Sequence, residues 1–106
     1  MWINFLIPIL LFLFQGEPQK ITVSYAALSC SCAQWKMPDG EHIYLERANA
    51  KLPDAHTLWD GENLPLVVAV TGTFRNKPGW PKGLKFKGNP EPAKVFVYDK
   101  IETLQP

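Results

Sequence analysis

The chain is short of the residue arrangements from which most active sites are built. Its 106 residues include two cysteines and two histidines. It contains no glycine-rich phosphate-binding loop, no nucleophile elbow around a serine and no pair of carboxylates spaced for acid–base work. These absences favour a binding or interaction protein over an enzyme.

Strong net charge, internal repeats and low-complexity stretches are also lacking. The formal net charge is +1, and 46% of the residues are apolar, which predicts one folded domain without long disordered regions. The charges are nevertheless separated along the chain. Six acids fall between Asp39 and Glu62, whereas five bases and no acid fall between Arg75 and Lys87. Two alternatives are compatible with this arrangement: two surface patches of opposite charge, or two complementary loops in contact with each other.

The single long apolar run lies at the start of the chain. Residues 3–14 are apolar apart from Asn4 and Pro8, and the next charge is Glu17. A helix needs about 20 apolar residues to span a bilayer, so this shorter run is typical of an export signal. We therefore expect residues 1–16 to be a signal peptide-like leader and residues 17–106 to be a single small domain, periplasmic or secreted. Membrane contact is expected only through an uncleaved leader.

Alternating apolar and polar residues predict strands in the first half of the domain. Residues 21–25 have a period of two, and we expect this strand to continue to residue 28. Residues 30–35 can form a second extended piece. The sequence Pro38-Asp39-Gly40 then predicts the turn of a hairpin whose next strand covers residues 42–47.

The second half predicts a core strand, a long loop and a final strand. The β-branched run at residues 66–74 is typical of a strand covered on both faces, and Gly72 predicts a bulge or bend. Before it, residues 55–59 can form a short helical turn. Four prolines and three glycines within residues 75–92 predict a long loop, after which residues 93–101 alternate again.

This order predicts a mainly β protein of four to five strands with a short helical insertion. Either a small curled antiparallel sheet or a partly open barrel fits it. The strand 67–74 with its glycine, and the insertion at residues 48–63, resemble the arrangement of an OB-type barrel at the level of architecture. A sandwich or split barrel is the alternative, and neither fold by itself dictates a function.

The sharpest cluster of reactive side chains is Cys30-Ser31-Cys32. In an extended segment the two sulfurs would face the same way and could hold a soft ion such as Cu(I) or Zn(II), with His42 or His56 completing the site. Their spacing matches no closed zinc pattern. In an oxidising compartment the pair could instead be joined, although α-carbons two apart in a strand lie near the upper limit for a disulfide. A structural pair, a metal site and a thiol-exchange site all remain open.

The loop at residues 75–87 interleaves bases with aromatic side chains, a composition suited to anionic ligands. Export disfavours nucleic acid and favours lipid headgroups, acidic glycans or an acidic protein surface. In the alternative interpretation, its aromatic side chains fold back as a lid on the sheet. Trp35 and Trp59 are expected in the core. The predicted binding residues are Arg75, Lys77, Trp80, Lys82, Lys85 and Phe86, in an exported, non-enzymatic module that needs no cofactor unless the cysteines bind copper or zinc.

Overall fold

A computed structural model describes residues 17–84 and 88–104, which form a small β barrel. The predicted leader and the predicted binding residues Lys85 and Phe86 lie outside the described residues. Within the described part, the strands are β1 (Gln19–Tyr25), β2 (Trp35–Lys36), β3 (His42–Arg47), β4 (Leu66–Phe74) and β5 (Val95–Thr103), and the 3₁₀ turn η1 (Ala55–Leu58) lies between β3 and β4. None of the helical structure in these ranges is long and apolar enough to cross a membrane.

The strands close into a barrel in the order β1-β2-β3-β5-β4, with β4 returning to β1. Neighbouring strands are antiparallel except β3 and β5, which run parallel with Tyr44 opposite Val95. This is the strand order of an OB-type barrel. The predicted mainly β class is therefore confirmed. The strands form a closed barrel with one parallel pairing, not the curled antiparallel sheet of the alternative prediction.

Gly72 allows β4 and β5 to cross closely. The pairing register of these strands shifts between Thr71 and Gly72, which confirms the predicted bulge. A Cβ atom at this position would overlap the carbonyl oxygen of Val97 and lie 2.8 Å from the Cα of Tyr98. Because both obstacles are backbone atoms, the strands could not keep this separation with any larger residue at position 72.

The barrel core consists of apolar side chains from every strand together with one residue of η1. Its buried members are Val23, Trp35, Ile43, Leu45, Ala55, Leu66, Val68, Val70, Phe96 and Tyr98. The Tyr98 hydroxyl, fully buried, donates a hydrogen bond of 2.7 Å to the Pro53 carbonyl. Burial, aided by the negative charge of Asp54, raises the pKa of Tyr98 to about 12.

Two of the extended segments predicted from sequence are wrong. β1 ends at Tyr25, and the next residues turn away, with Ala27 at a φ of +51°. Residues 29–32 form bends, so that β2 begins only at Trp35. The reason is a backbone hydrogen bond of 2.8 Å from Ala26 N–H to the Gln34 carbonyl, which closes residues 26–34 into a loop.

Candidate ligand-binding groove

A groove of about 780 Å³ runs across one side of the barrel. Its walls come from the β1–β2 loop (residues 26–34), from β3 with the segment that follows it to residue 56, and from residues 81–84 of the β4–β5 loop, which connects residue 74 to residue 95. The volume lies within the range of about 300–1,000 Å³ that small-molecule sites occupy. Segments distant in sequence thus meet around one concave surface.

Tyr44 fixes both loops to β3. Its neighbours Ile43 and Leu45 belong to the barrel core, and Tyr44 packs outside it against Ala33 and Val95. Its hydroxyl lies 3.1 Å from the Glu91 carbonyl and 3.4 Å from the Ser31 carbonyl, so it can donate to either loop. Burial raises the pKa of Tyr44 above its ordinary value, so this hydroxyl stays a protonated donor into the alkaline range.

Glu46 holds the β4–β5 loop in place. Its side chain is only 11% exposed, and Oε1 accepts hydrogen bonds from the Arg75 guanidinium and, at 2.6 Å, from the Lys82 N–H. Arg75 also donates to the Trp80 carbonyl at 2.8 Å. The acidic and basic segments of the sequence therefore contact each other here, as in the complementary-loop interpretation. Much of the Arg75 charge is offset inside the protein.

The other predicted binding residues that the structure describes lie on the same loop but differ in their setting. Lys82 lines the groove with an exposed side chain, and Lys77 is exposed nearer the end of β4. Trp80 is 40% exposed, and its indole N–H donates a hydrogen bond of 3.2 Å to the Pro90 carbonyl. Lys82 is therefore the predicted cation that the fold places most directly at the groove.

Aromatic side chains from outside the predicted loop line another part of the groove. Tyr25 and Trp35 both line it, with their ring centroids 4.9 Å apart. Trp35 is buried as predicted, whereas Tyr25 is half-buried and also lies 5.4 Å from the half-buried Trp59. The part of the groove beside Tyr25 and Trp35 therefore has an aromatic surface.

Cys30 and Cys32 form a disulfide on the groove wall. The bends at residues 29–32 place their α-carbons 5.2 Å apart, within the usual disulfide range, so the strand geometry assumed from sequence does not apply. Cys30 is exposed and Cys32 is half-buried.

The predicted metal ligands do not form a cluster in this oxidised state. His42 is exposed on β3, and His56 lies on η1 with its Nδ1 4.0 Å from Asp54 Oδ1. Within residues 17–84 and 88–104, no group of three or more histidine, cysteine or acidic side chains is arranged to hold a metal ion. Because a disulfide offers no thiolate, copper or zinc binding remains a prediction for the reduced chain.

Sequence reasoning missed four residues that shape the groove. Tyr44 and Glu46 anchor its loops, Gln34 holds the β1–β2 loop, and Arg47 is exposed on its wall with a hydrogen bond of 3.0 Å to the Leu52 carbonyl. For Tyr44 and Glu46 the sequence did contain a signal, because the alternation in β3 places both on the face opposite the core residues Ile43 and Leu45. Their partners lie on distant loops, which no local pattern identifies.

The chain matches no known family model, and comparison with curated proteins and with solved structures gives no significant match.

Proposed function

We propose that this protein is an exported, non-enzymatic binding module that holds an acidic glycan chain in the groove. The observation that carries the proposal is the meeting of the β1–β2 loop, β3 and the β4–β5 loop around about 780 Å³ of open space. In OB-type barrels, the face built from these elements is the usual place for extended ligands such as oligosaccharides and oligonucleotides.

The charges at the groove support an anionic ligand. Arg47 and Lys82 line it with exposed side chains, and Lys77 adds a third exposed cation on the same loop. Two acids also line the groove: Glu46, which is paired with Arg75 and so opposes these cations only weakly, and Asp54, which lies 4.0 Å from His56 Nδ1 and competes with an anionic ligand at that position. Carboxylate or sulfate groups on a ligand would make charge-assisted hydrogen bonds with such side chains.

The shape of the site and the proposed compartment narrow the ligand class. A concave groove fits a chain better than the flat surface of a lipid bilayer, and the aromatic surface at Tyr25 suits a ligand with apolar faces between its polar groups. Export is supported by the apolar run at residues 3–14 and by the Cys30–Cys32 disulfide, a bond that persists in oxidising compartments. Outside the cytosol, acidic glycans are commoner ligands than nucleic acids.

The test is titration of the purified full-length chain with a sulfated oligosaccharide, followed by calorimetry and amide chemical shifts. We expect binding with shifts at residues 45–49 and 82–84. Lys82→Gln should weaken it about threefold, as for one exposed ion pair. Lys82→Gln keeps the backbone N–H that bonds Glu46, so the loop should stay in place.

Lys100→Gln is the matched control, because Lys100 is equally exposed but lies on β5, outside the groove lining. Equal losses in the control and in Lys82→Gln would indicate nonspecific charge attraction and contradict the proposal. Stronger binding of a single-stranded oligonucleotide, or of anionic vesicles, would replace the glycan with that ligand class.

A further inference from the structure

The Cys30–Cys32 disulfide is placed where a dissolved thiol can reach it. Cys30 is exposed, and both cysteines line the groove beside Ser31. These are the only two cysteines of the chain, so no other thiol of the same molecule competes for the bond. An attacking thiolate must approach one sulfur from solvent, and the exposed side of Cys30 permits that approach.

The disulfide is not what holds the β1–β2 loop together. The Gln34 side chain accepts a hydrogen bond of 2.6 Å from Leu28 N–H and donates to the carbonyls of Leu28, at 3.1 Å, and Cys30, at 2.8 Å. A backbone bond from Ala26 to Gln34 closes the base of the loop. None of these contacts involves a sulfur atom, so we expect reduction to leave the fold in place.

The disulfide also contributes little to the stability of the barrel. Its cysteines are two positions apart, so it closes a ring of three residues. By the chain-entropy relation, such a ring restrains the unfolded chain about half as much as a loop of 15 residues would. A cross-link between strands would stabilise the barrel more. Exposure and weak structural value are together typical of disulfides that react.

We propose that Cys30–Cys32 is a thiol–disulfide exchange site that reacts with low-molecular-weight thiols entering the groove. The incoming thiolate attacks Sγ of Cys30 and forms a mixed disulfide, while the Cys30–Cys32 bond breaks and Cys32 leaves as a thiolate. A second thiol then attacks the mixed disulfide. The protein is left as a dithiol, having gained two electrons and two protons, and the small thiol is released as its own disulfide. In reverse, the site oxidises when a small-molecule disulfide is in excess.

The first test uses the full-length chain, reduced glutathione in millimolar excess and intact mass after alkylation. We expect two alkyl groups per molecule, an unchanged circular dichroism spectrum and a thermal midpoint about 5–10 °C below that of the oxidised protein. Retention of the disulfide under native conditions, with alkylation only in denaturant, would overturn the proposal. So would loss of the barrel signal on reduction, since the bond would then be structural.

The second test identifies the attacked sulfur with single-cysteine variants. Cys32→Ser leaves Cys30, and we expect it to form a mixed disulfide with oxidised glutathione at least fivefold faster than Cys30→Ser, whose remaining Cys32 is half-buried. The Cys30→Ser, Cys32→Ser double variant gives the baseline without thiols. Equal rates for the two single variants, or a faster rate for Cys30→Ser, would contradict attack at Cys30.

Discussion

The anchoring of the β4–β5 loop by Glu46 leads to a quantitative prediction. The carboxylate accepts hydrogen bonds from the Arg75 guanidinium and from the Lys82 N–H, and its side chain is 11% exposed. Glu46→Gln keeps the shape but removes the charge, which weakens each bond by about 1 kcal/mol. We therefore expect the free energy of unfolding to fall by about 2 kcal/mol.

Glu46→Ala removes the acceptor of both hydrogen bonds and should cost more. A fully buried ion pair broken on one side costs about 3–5 kcal/mol. The Arg75 side chain is 30% exposed and can recover part of its hydration, which places the expected cost near the lower end, about 3 kcal/mol. Glu41→Gln is the control, because its ion pair with Lys94 is exposed and should contribute less than about 1 kcal/mol.

Urea denaturation at pH 7 measures these losses, and a double-mutant cycle with Arg75→Ala isolates the pair. We expect a coupling free energy of about 1.5 kcal/mol or more between Glu46 and Arg75. Amide hydrogen exchange should show faster exchange at Lys82 in Glu46→Ala, because its N–H loses its acceptor. Additive losses within about 0.5 kcal/mol, or unchanged exchange at Lys82, would refute the assigned role of Glu46.

Two further predictions concern the barrel itself. Gly72→Ala should lower the free energy of unfolding by about 3 kcal/mol or more, since the new methyl group meets the backbone of Val97. In Gly79→Ala the methyl group meets nothing within 4 Å, so urea denaturation should show a change of less than about 1 kcal/mol. Comparable midpoints for the two variants would contradict the tight crossing at Gly72. Between pH 10 and 12 the unfolded chain loses the Tyr98 proton, while the folded chain, with a pKa of about 12, keeps most of it until the upper end of this range. Stability should therefore fall with rising pH by roughly 2 kcal/mol over that range. Tyr98→Phe should be less stable at neutral pH, because it lacks the hydrogen bond to the Pro53 carbonyl. Its stability should fall less above pH 10. A dependence of stability on pH equal to that of the unsubstituted protein would contradict the burial of this hydroxyl.

Much of the fold could be predicted because the patterns that specify it are local. Residues 66–74 form β4 with the predicted bounds, since a β-branched run excludes most alternatives to a buried strand. The hairpin turn at residues 38–40 follows from proline and glycine, whose dihedral preferences act within the turn itself. The error at residues 26–34 has the opposite cause. There the chain reverses through hydrogen bonds to Gln34, and these bonds depend on a side chain whose role no periodicity encodes.

The candidate site was only partly predictable for a similar reason. The cations of the β4–β5 loop stand out by composition, and Lys82 does lie at the groove. Composition could not indicate that Arg75 would be paired with Glu46, because the two are 29 positions apart and meet only after β3 and β5 align. The β1–β2 loop also lines the groove, and its position depends on the pairing of β1 with β2 and on the contact of its Ser31 carbonyl with the Tyr44 hydroxyl.

The sequence by itself determined the β character of the domain, its central strand, the bend at Gly72 and the presence of a cysteine pair, because each of these depends on neighbouring residues. Tertiary structure decided the closure of the barrel, the offsetting of the Arg75 charge and the placement of Cys30 and Lys82 on one groove. Those outcomes depend on contacts between distant segments, and such contacts form only when burial of the core fixes the register of the strands.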